Sequence, residues 1–186
     1  MSDAVIKFTR GVPPPETFPK EKLAECANKV LADSGDTILQ YGDGRGYLPM
    51  RKLIAEEKNI SENRILLGQG SLQIVDMFAR MTIKPGDLVY VEDPTYDRTM
   101  IVLKRAGARV VGFPLQQDGP DVDEIEARLK AGERPAFFYL IPDFQNPSGT
   151  VMSAEKRARI AKLAQEYEFW ILEDIPYRKL RYYNAE

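Results

Sequence analysis

Residues 136–173 read AFFYLIPDFQNPSGTVMSAEKRARIAKLAQEYEFWILE, and this stretch decides the fold. A continuous apolar run at 136–141 predicts a buried strand. The apolar residues of 153–167 recur at helical spacing, with Ser153 in the position of an N-cap, and 169–173 predict a second strand. Two buried strands joined by a helix form a β-α-β unit, which places both strands parallel in one sheet.

The preceding part of the chain continues the alternation of strands and helices. Prolines in residues 1–19 predict an extended arm. The helix predicted at 71–81 is apolar on more than one side, so we expect it to be buried. The other predicted elements are helices at 20–33, 49–58, 95–106 and 121–130, and strands at 65–67, 88–92 and 109–113. The pattern predicts an α/β fold, a three-layer sandwich with a mostly parallel sheet.

The composition excludes several classes of function. The net charge of the 186 residues is −2 and Lys and Arg are scattered, so the basic footprint of a nucleic-acid or membrane-surface protein is absent. There is no histidine, which excludes Ser-His triads and most zinc sites, and the single cysteine, Cys26, excludes an internal disulfide. No apolar run has the length of a signal peptide or a membrane span. We expect a cytoplasmic protein with a small-molecule substrate and no metal, nucleic-acid or membrane partner.

Polar side chains follow the two strands of the quoted unit. Asn146 lies in the loop after the first strand, and Asp174 and Tyr177 come directly after the second. Ligands of open α/β sheets bind beyond the carboxyl ends of the strands, and an amide, a carboxylate and a phenol suit a planar, phosphorylated nitrogen heterocycle. A buried carboxylate needs a cationic partner, such as a protonated ring nitrogen.

Each of these residues also has a structural interpretation. A nearby arginine, Arg178 or Arg181, is the alternative partner of Asp174. Asn146 is the alternative hydrogen-bonding residue of its own tight turn, since Asn is common in turns that contain Pro and Gly.

Two earlier loops contribute further candidates. Gly70 and Ser71 precede the buried-looking helix, where free backbone N–H groups and the helix dipole favour phosphate. The alternative is that Ser71 is only an N-cap. Tyr96 lies at the start of another helix, where its ring can stack on an aromatic ligand or belong to a capping turn.

Together these loops resemble the fold-type I, pyridoxal-phosphate (PLP) dependent aminotransferases of class I/II. The resemblance runs from about residue 8 to residue 183 and is strongest to the branch of 2-aminoadipate aminotransferases and of the aminotransferase-like halves of some transcriptional regulators. It implies transfer of an amino group from an amino acid to a 2-oxo acid, with pyridoxal 5'-phosphate as cofactor. It also implies a homodimer or larger homo-oligomer.

The resemblance assigns the cofactor ring to residues of the later loops. Tyr96 would stack on the pyridine ring, and Asp174 would keep its nitrogen protonated so that the ring can accept carbanion electrons. Asn146 and Tyr177 would both hydrogen-bond the phenolic oxygen, and Asn146 would help orient a substrate carboxylate.

The phosphate and the substrate entrance are assigned to earlier residues. The phosphate would be held by backbone N–H groups and the side chain at Gly70, Ser71 and Leu72. Many relatives have Gln where this chain has Leu72, so a polar contact is missing there. Tyr41 would reach the phosphate of the neighbouring subunit, and Arg10 and Gly11 would lie over the substrate entrance.

The sequence departs from the family in one respect. The Schiff-base lysine of the family lies in a Ser-x-Ser-Lys-type segment beyond the Asp-x-x-Tyr motif, and no lysine of this sequence has that context. We therefore assign no catalytic residue to this chain and predict no meaningful transamination by it alone. By the resemblance, 1–36 are the arm and first helix, and 37–186 are the N-terminal part of the PLP-binding large domain, truncated before its last strands.

Two alternatives to the enzyme remain open at this point. One is a non-catalytic module that binds PLP. The other is an oligomerising fragment of a split or truncated protein, which pairs through an exposed sheet edge.

Overall fold

The computed structural model describes residues 13–182, in two units that divide between Leu67 and Gly68. The first unit contains helices α1 (Lys20–Ile38) and α2 (Leu48–Lys58), with 3-10 helices at Pro15–Thr17 and Glu62–Arg64. The second contains helices α3 (Ser71–Thr82), α4 (Asp97–Arg105), α5 (Val122–Lys130) and α6 (Ala154–Glu166), and strands β1 (Leu88–Asp93), β2 (Arg109–Gln116), β3 (Gly119–Pro120), β4 (Pro135–Leu140) and β5 (Trp170–Glu173). The division predicted from the resemblance, 1–36 and 37–186, stays a prediction.

The helices of the first unit differ in part from their predicted bounds. α1 extends past the predicted end at residue 33, with a kink at Ser34, whose φ of −141° is not helical. α2 carries Pro49 in its first turn, as predicted, where the missing N–H costs no helical hydrogen bond. The prediction of an extended arm is wrong at Pro15–Thr17, because proline is compatible with the first position of a short 3-10 turn.

A buried arginine organises the loop that precedes α2. Arg51 is only 2% exposed. Its guanidinium donates to the backbone oxygens of Gly46 and Glu62 at 3.1 and 3.2 Å, and to Asp43 at 3.1 Å. The side chain of Arg45 also hydrogen-bonds Asp43, and mainly this contact lowers the pKa of the Asp43 carboxyl to about 2. The predicted loop of residues 40–46 is thereby tied to the helix that follows it.

The sheet of the second unit has the strand order β3-β2-β1-β4-β5. β1 pairs in parallel with β2 and β4, and β4 pairs in parallel with β5. Only the short β3 is antiparallel, so the sheet is mostly parallel, as predicted.

Consecutive side chains of the central strands enter two different cores. One core lies against α5 and α6, and the other lies against α3 and α4. Strand residues of the first core are Leu88, Tyr90, Phe113, Phe138 and Leu140. Strand residues of the second core are Val89, Val91, Phe137 and Tyr139. Helices therefore cover both faces of the sheet, and the predicted three-layer α/β fold is confirmed.

Two predictions about the region before β1 are wrong. Residues 65–67 do not form a strand, because the only backbone hydrogen bond from the N–H of Leu67 goes to the loop residue Arg45 and no ladder forms within the described residues. α3 is buried along one stripe only: Val75 and Ala79 are buried, whereas Met81 is 76% exposed. Its apolar residues outnumber those that one sheet face can cover.

β3 has no counterpart among the predicted strands, and the other elements have the predicted order and type, with ends that differ by a few residues. α6 is capped by the side chain of Ser153, as the sequence predicts, and α5 is capped by the side chain of Asp121. No helix within residues 13–182 combines the length and the apolarity needed to cross a membrane.

Two positions of α4 should contribute very differently to the free energy of unfolding, because only one of them is buried in the second core. Leu103 is fully buried, and Ile101 is 40% exposed. Leu103→Ala should lower the free energy of unfolding by about 3 kcal/mol, because it removes apolar contacts and leaves a cavity. Ile101→Ala, the matched control on the same helix, should cost about 1 kcal/mol or less. Urea denaturation measures both, and equal losses would contradict the assignment of this core.

Candidate functional site

The loops that follow β1, β4 and β5 leave the sheet at the same edge. The strands are parallel, and Leu140 is paired with Glu173 at the carboxyl ends of β4 and β5. Residues 94–96, 141–150 and 174–177 therefore share one edge of the sheet, where open α/β folds bind ligands. The predicted site residues Tyr96, Asn146, Asp174 and Tyr177 belong to these loops.

Asp174 is held from two directions by β4. Its backbone N–H donates to the carbonyl oxygen of Leu140 at 2.8 Å. The hydroxyl group of Tyr139 donates to its carboxylate at 2.9 Å. Tyr139 is fully buried, and this burial, reinforced by the charge of Asp174, raises the pKa of its phenol. Tyr139 therefore stays protonated and fixes the carboxylate as a neutral hydrogen-bond donor.

The arginine alternative for Asp174 is wrong in this structure. Arg178 and Arg181 instead contact Asp143. Within residues 13–182, no cationic side chain lies at ion-pair distance from Asp174. Its carboxylate is half-buried and has Tyr139 as its hydrogen-bond donor, so it retains acceptor positions for a ligand.

A cleft of about 280 Å³ joins Asp174 to the start of α3. Ser71 lies in this cleft with Asp174, and the walls include the apolar residues Ile74, Val75 and Leu172. The first N–H groups of a helix lack intrahelical acceptors and attract anions. The cleft thus offers anion-binding groups at one end and a carboxylate at the other.

The N-cap interpretation of Ser71 is wrong, because the N-cap of α3 is Gly70. Gly70 has φ +87°, a conformation that other residues adopt only with strain. Ser71 is the first residue of the helix, and its hydroxyl forms no hydrogen bond within residues 13–182. The predicted neighbour Leu72 is 37% exposed.

Gln145, rather than Asn146, holds the loop after β4. Its buried side-chain NH₂ donates to the Pro94 oxygen at 2.7 Å, and its side-chain oxygen accepts from the backbone N–H and hydroxyl of Ser148 at 2.9 and 2.7 Å. The amide of Asn146 forms no hydrogen bond in the described part of the chain. The structural interpretation of Asn146 is therefore wrong, and its side chain remains available to a ligand.

Glu92 is a buried carboxyl group between the loops after β1 and β4. It is 1% exposed and accepts hydrogen bonds from the N–H of Ile141 at 2.9 Å and the amide of Gln145 at 3.4 Å. Burial raises its pKa to about 7, and these two hydrogen bonds offset only part of the effect. Glu92 and Gln145 connect the loop of Tyr96 with that of Asn146.

The two predicted ring-binding tyrosines pack against one core. Tyr96 and Tyr177 are both half-buried against the core that also contains Tyr139. Tyr96 occupies the N-cap position of α4, but its side chain makes no capping hydrogen bond. Both rings are therefore positioned by apolar contacts.

The other three predicted residues precede the second unit in the sequence. Tyr41 belongs to the first unit, where its side chain is fully exposed. Arg10 and Gly11 lie outside the described residues.

Sequence reasoning missed the residues that hold the site together: Glu92, Tyr139, Asp143 and Gln145. The available signal was a polar residue at the end of an apolar strand. Glu92 and Asp143 have this position, but nothing in the local sequence names their partners. Tyr139 carries no such signal, because within an apolar run it is indistinguishable from a core residue.

The sequence pattern of the aminotransferase class I and II family matches residues 3–184. The chain belongs to this family. It is 39% identical to an aromatic-amino-acid aminotransferase of Thermococcus litoralis, over 96% of this chain and 45% of that protein. It is 36% identical to the 2-aminoadipate transaminase of Thermus thermophilus, over 97% and 45%.

A solved structure shows the same fold. The α-aminoadipate aminotransferase LysN of Thermus thermophilus, complexed with N-(5'-phosphopyridoxyl)-L-leucine, superposes with a TM-score of 0.90 at 36% identity. The match covers 96% of this chain and 46% of that one. The chain thus spans about half the length of the curated relatives it matches.

The buried carboxyl of Glu92 should make the stability of the chain depend on pH. Between its ordinary pKa of 4.5 and the raised value of about 7, the unfolded state loses the proton while the folded state keeps it. Stability therefore falls as pH rises through this window, by about 3 kcal/mol at about 1.4 kcal/mol per pKa unit. The neutral Glu92→Gln variant should lack this loss.

Urea denaturation at pH 4.5 and 7.5 checks the expectation through the difference between wild type and Glu92→Gln. Between pH 4.5 and pH 7.5, the free energy of unfolding of Glu92→Gln relative to the wild type should rise by about 3 kcal/mol. Glu166→Gln, at an exposed carboxylate of α6, should shift by about 0.5 kcal/mol or less. A constant difference for Glu92→Gln would show that the carboxyl titrates at its ordinary pKa.

Proposed function

We propose that this chain forms the phosphate- and ring-binding part of a pyridoxal 5'-phosphate dependent aminotransferase site. The observation that carries the proposal is the cleft that Asp174 and the start of α3 share. The membership of the family and the phosphopyridoxyl compound in the LysN structure support it. The substrates proposed for the complete site are an amino acid and a 2-oxo acid.

The residues fit the cofactor at both ends. The free N–H groups at the start of α3 and the Ser71 hydroxyl suit a phosphate group. Asp174, oriented by Tyr139, suits a protonated ring nitrogen, and the apolar side chains of Ile74, Val75 and Leu172 suit a ring edge or face between them. The phosphate thus meets the positive end of the helix dipole and the ring nitrogen meets a carboxylate. Apolar side chains line the space between them.

The remaining loops supply directed groups for the same ligand. The unpaired amide of Asn146 suits the phenolic oxygen of the ring or a substrate carboxylate. Tyr177 supplies a second donor to that oxygen, and Tyr96 a stacking surface. The role of Tyr41, Arg10 and Gly11 toward a partner's cofactor and the substrate entrance remains part of the proposal from family membership, as does a homodimer.

When bound, the cofactor supplies an electron-withdrawing ring that accepts electrons from the substrate's α-carbon. The chain's contribution is to hold that ring in its protonated form. Asp174 stabilises the positive charge on the ring nitrogen, and Tyr139 prevents the carboxylate from rotating away. Asn146 and Tyr177 would hold the phenolic oxygen of the ring.

Titration with pyridoxamine 5'-phosphate tests the proposal, because this form has no aldehyde to react with surface lysines. Binding is measured by calorimetry and by the fluorescence of Trp170, the only tryptophan. Asp174→Asn should weaken binding roughly 10- to 100-fold, the loss expected for a charged hydrogen bond. Asp123→Asn, an exposed carboxylate on α5, should bind like the wild type. Equal affinity of wild type and Asp174→Asn would exclude the proposed ring position.

The hydroxyl of Tyr139 has a close control in the same sheet. Tyr139 and Tyr90 are both fully buried, and each donates to a carboxylate, at 2.9 and 2.8 Å. Tyr139→Phe should weaken binding of pyridoxamine 5'-phosphate about 3- to 10-fold, because Asp174 loses its fixed orientation. Tyr90→Phe should remove a comparable hydrogen bond without changing affinity. Equal effects on affinity would mean that Tyr139 acts only through general stability.

A further inference from the structure

Three guanidinium groups converge on one buried carboxylate beside the candidate site. Asp143 follows β4 and is 2% exposed. The Nε of Arg178 donates to Oδ2 at 2.7 Å, and Arg157 and Arg181 donate to Oδ1 at 3.0 and 3.3 Å. Burial alone would raise the pKa of this carboxyl, but the hydrogen bonds from Arg178 and Arg157 outweigh it and lower the pKa. Asp143 therefore remains charged at neutral pH.

The carboxylate is held in place independently of the site. Arg157 also donates to the backbone oxygens of Pro142 and Met152, at 2.7 and 3.0 Å. It thereby ties α6 to the segment that carries Asp143. The position of Asp143 is thus fixed by the frame of the sheet, and the two other arginines come to it.

Those two arginines belong to the segment that follows Asp174. Arg178 is four residues beyond Asp174 in the sequence. Its Nη2 already lies 3.3 Å from the carboxylate of Glu173, the immediate neighbour of Asp174. A guanidinium group in this position is the natural competitor for Asp174, since arginine forms bidentate pairs with carboxylates. An arginine on Asp174 would occupy the acceptor that the ring nitrogen needs.

We propose that Asp143 is a positioning residue that draws Arg178 and Arg181 away from Asp174 and so keeps Asp174 available to a cationic ring nitrogen. This inference rests on the function proposed above and adds a determinant of its selectivity. Asp143 does not contact the ligand. Asp143 acts because it is a better partner for Arg178 and Arg181 than the half-buried Asp174 is. Arg157 is its third hydrogen-bond donor.

The test compares pyridoxamine 5'-phosphate with its 1-deaza analogue, in which a carbon atom replaces the ring nitrogen. Calorimetry gives the affinity ratio of the two compounds, which reports the pairing of Asp174 with the nitrogen. The wild type should prefer the nitrogen compound roughly 10- to 100-fold. Asp143→Asn should reduce this ratio to about 3-fold or less, because the released arginines compete for Asp174.

A rescue variant separates this role from a merely structural one. The triple variant Asp143→Asn/Arg178→Gln/Arg181→Gln has no released arginine, so its affinity ratio should return to within about 3-fold of the wild-type value. General damage to the loop would not be repaired by two further substitutions. If Asp143→Asn does not fold, as judged by circular dichroism, Asp143→Ser releases the same arginines and replaces it in the comparison.

The outcomes distinguish the two proposals. A wild type without any preference between the compounds would overturn the proposed function. A wild type with the preference, together with an Asp143→Asn variant that keeps it, would overturn only the role of Asp143. A folded triple variant that does not recover the preference would likewise overturn the role of Asp143.

Discussion

The parallel pairing of β4 with β1 on one side and β5 on the other is the constraint on which the site depends. The register places Leu140 beside Glu173, so β4 and β5 end at the same level. Side chains at these ends therefore reach the neighbouring strand directly, as the Tyr139–Asp174 and Glu92–Ile141 hydrogen bonds show. A change of register by one residue would exchange the two faces of β4 and separate both pairs.

Three carboxyl groups at this edge have three different kinds of partner. Asp143 has guanidinium groups, Asp174 has a neutral phenol, and Glu92 has backbone and amide N–H groups. The guanidinium groups stabilise a permanent negative charge on Asp143, whereas burial favours a proton on Glu92 near neutral pH. The Tyr139 hydroxyl orients the carboxylate of Asp174 and leaves its other acceptor positions unused. Of the three carboxyl groups, only Asp174 therefore suits a ligand that carries a positive charge.

Four of the five strands of the second unit could be predicted from sequence, and the signal was strongest for β1 and β4, because a strand covered on both faces is apolar along its whole length. The same rule failed at residues 65–67, where an apolar triplet follows a turn but has no strand beside it. The positions of Asp174 and Asn146 could be predicted from their place after strands. Their partners could not, because Tyr139 and Asp174, like Asp143 and Arg178, are 35 residues apart in the sequence.

The sheet separates two cores whose side chains alternate along β4. Tyr139, Tyr96, Tyr177 and Leu172 all pack in the core of α3 and α4, whereas the core of α5 and α6 contains none of the predicted ligand-binding residues. Substitutions that are far apart and share no partners have nearly additive effects. Apart from Arg157, which holds Asp143, the α5–α6 layer is therefore free to diverge in sequence, subject only to stability. In a set of descendants of this chain, the rate of substitution should differ between odd and even positions of the same strand.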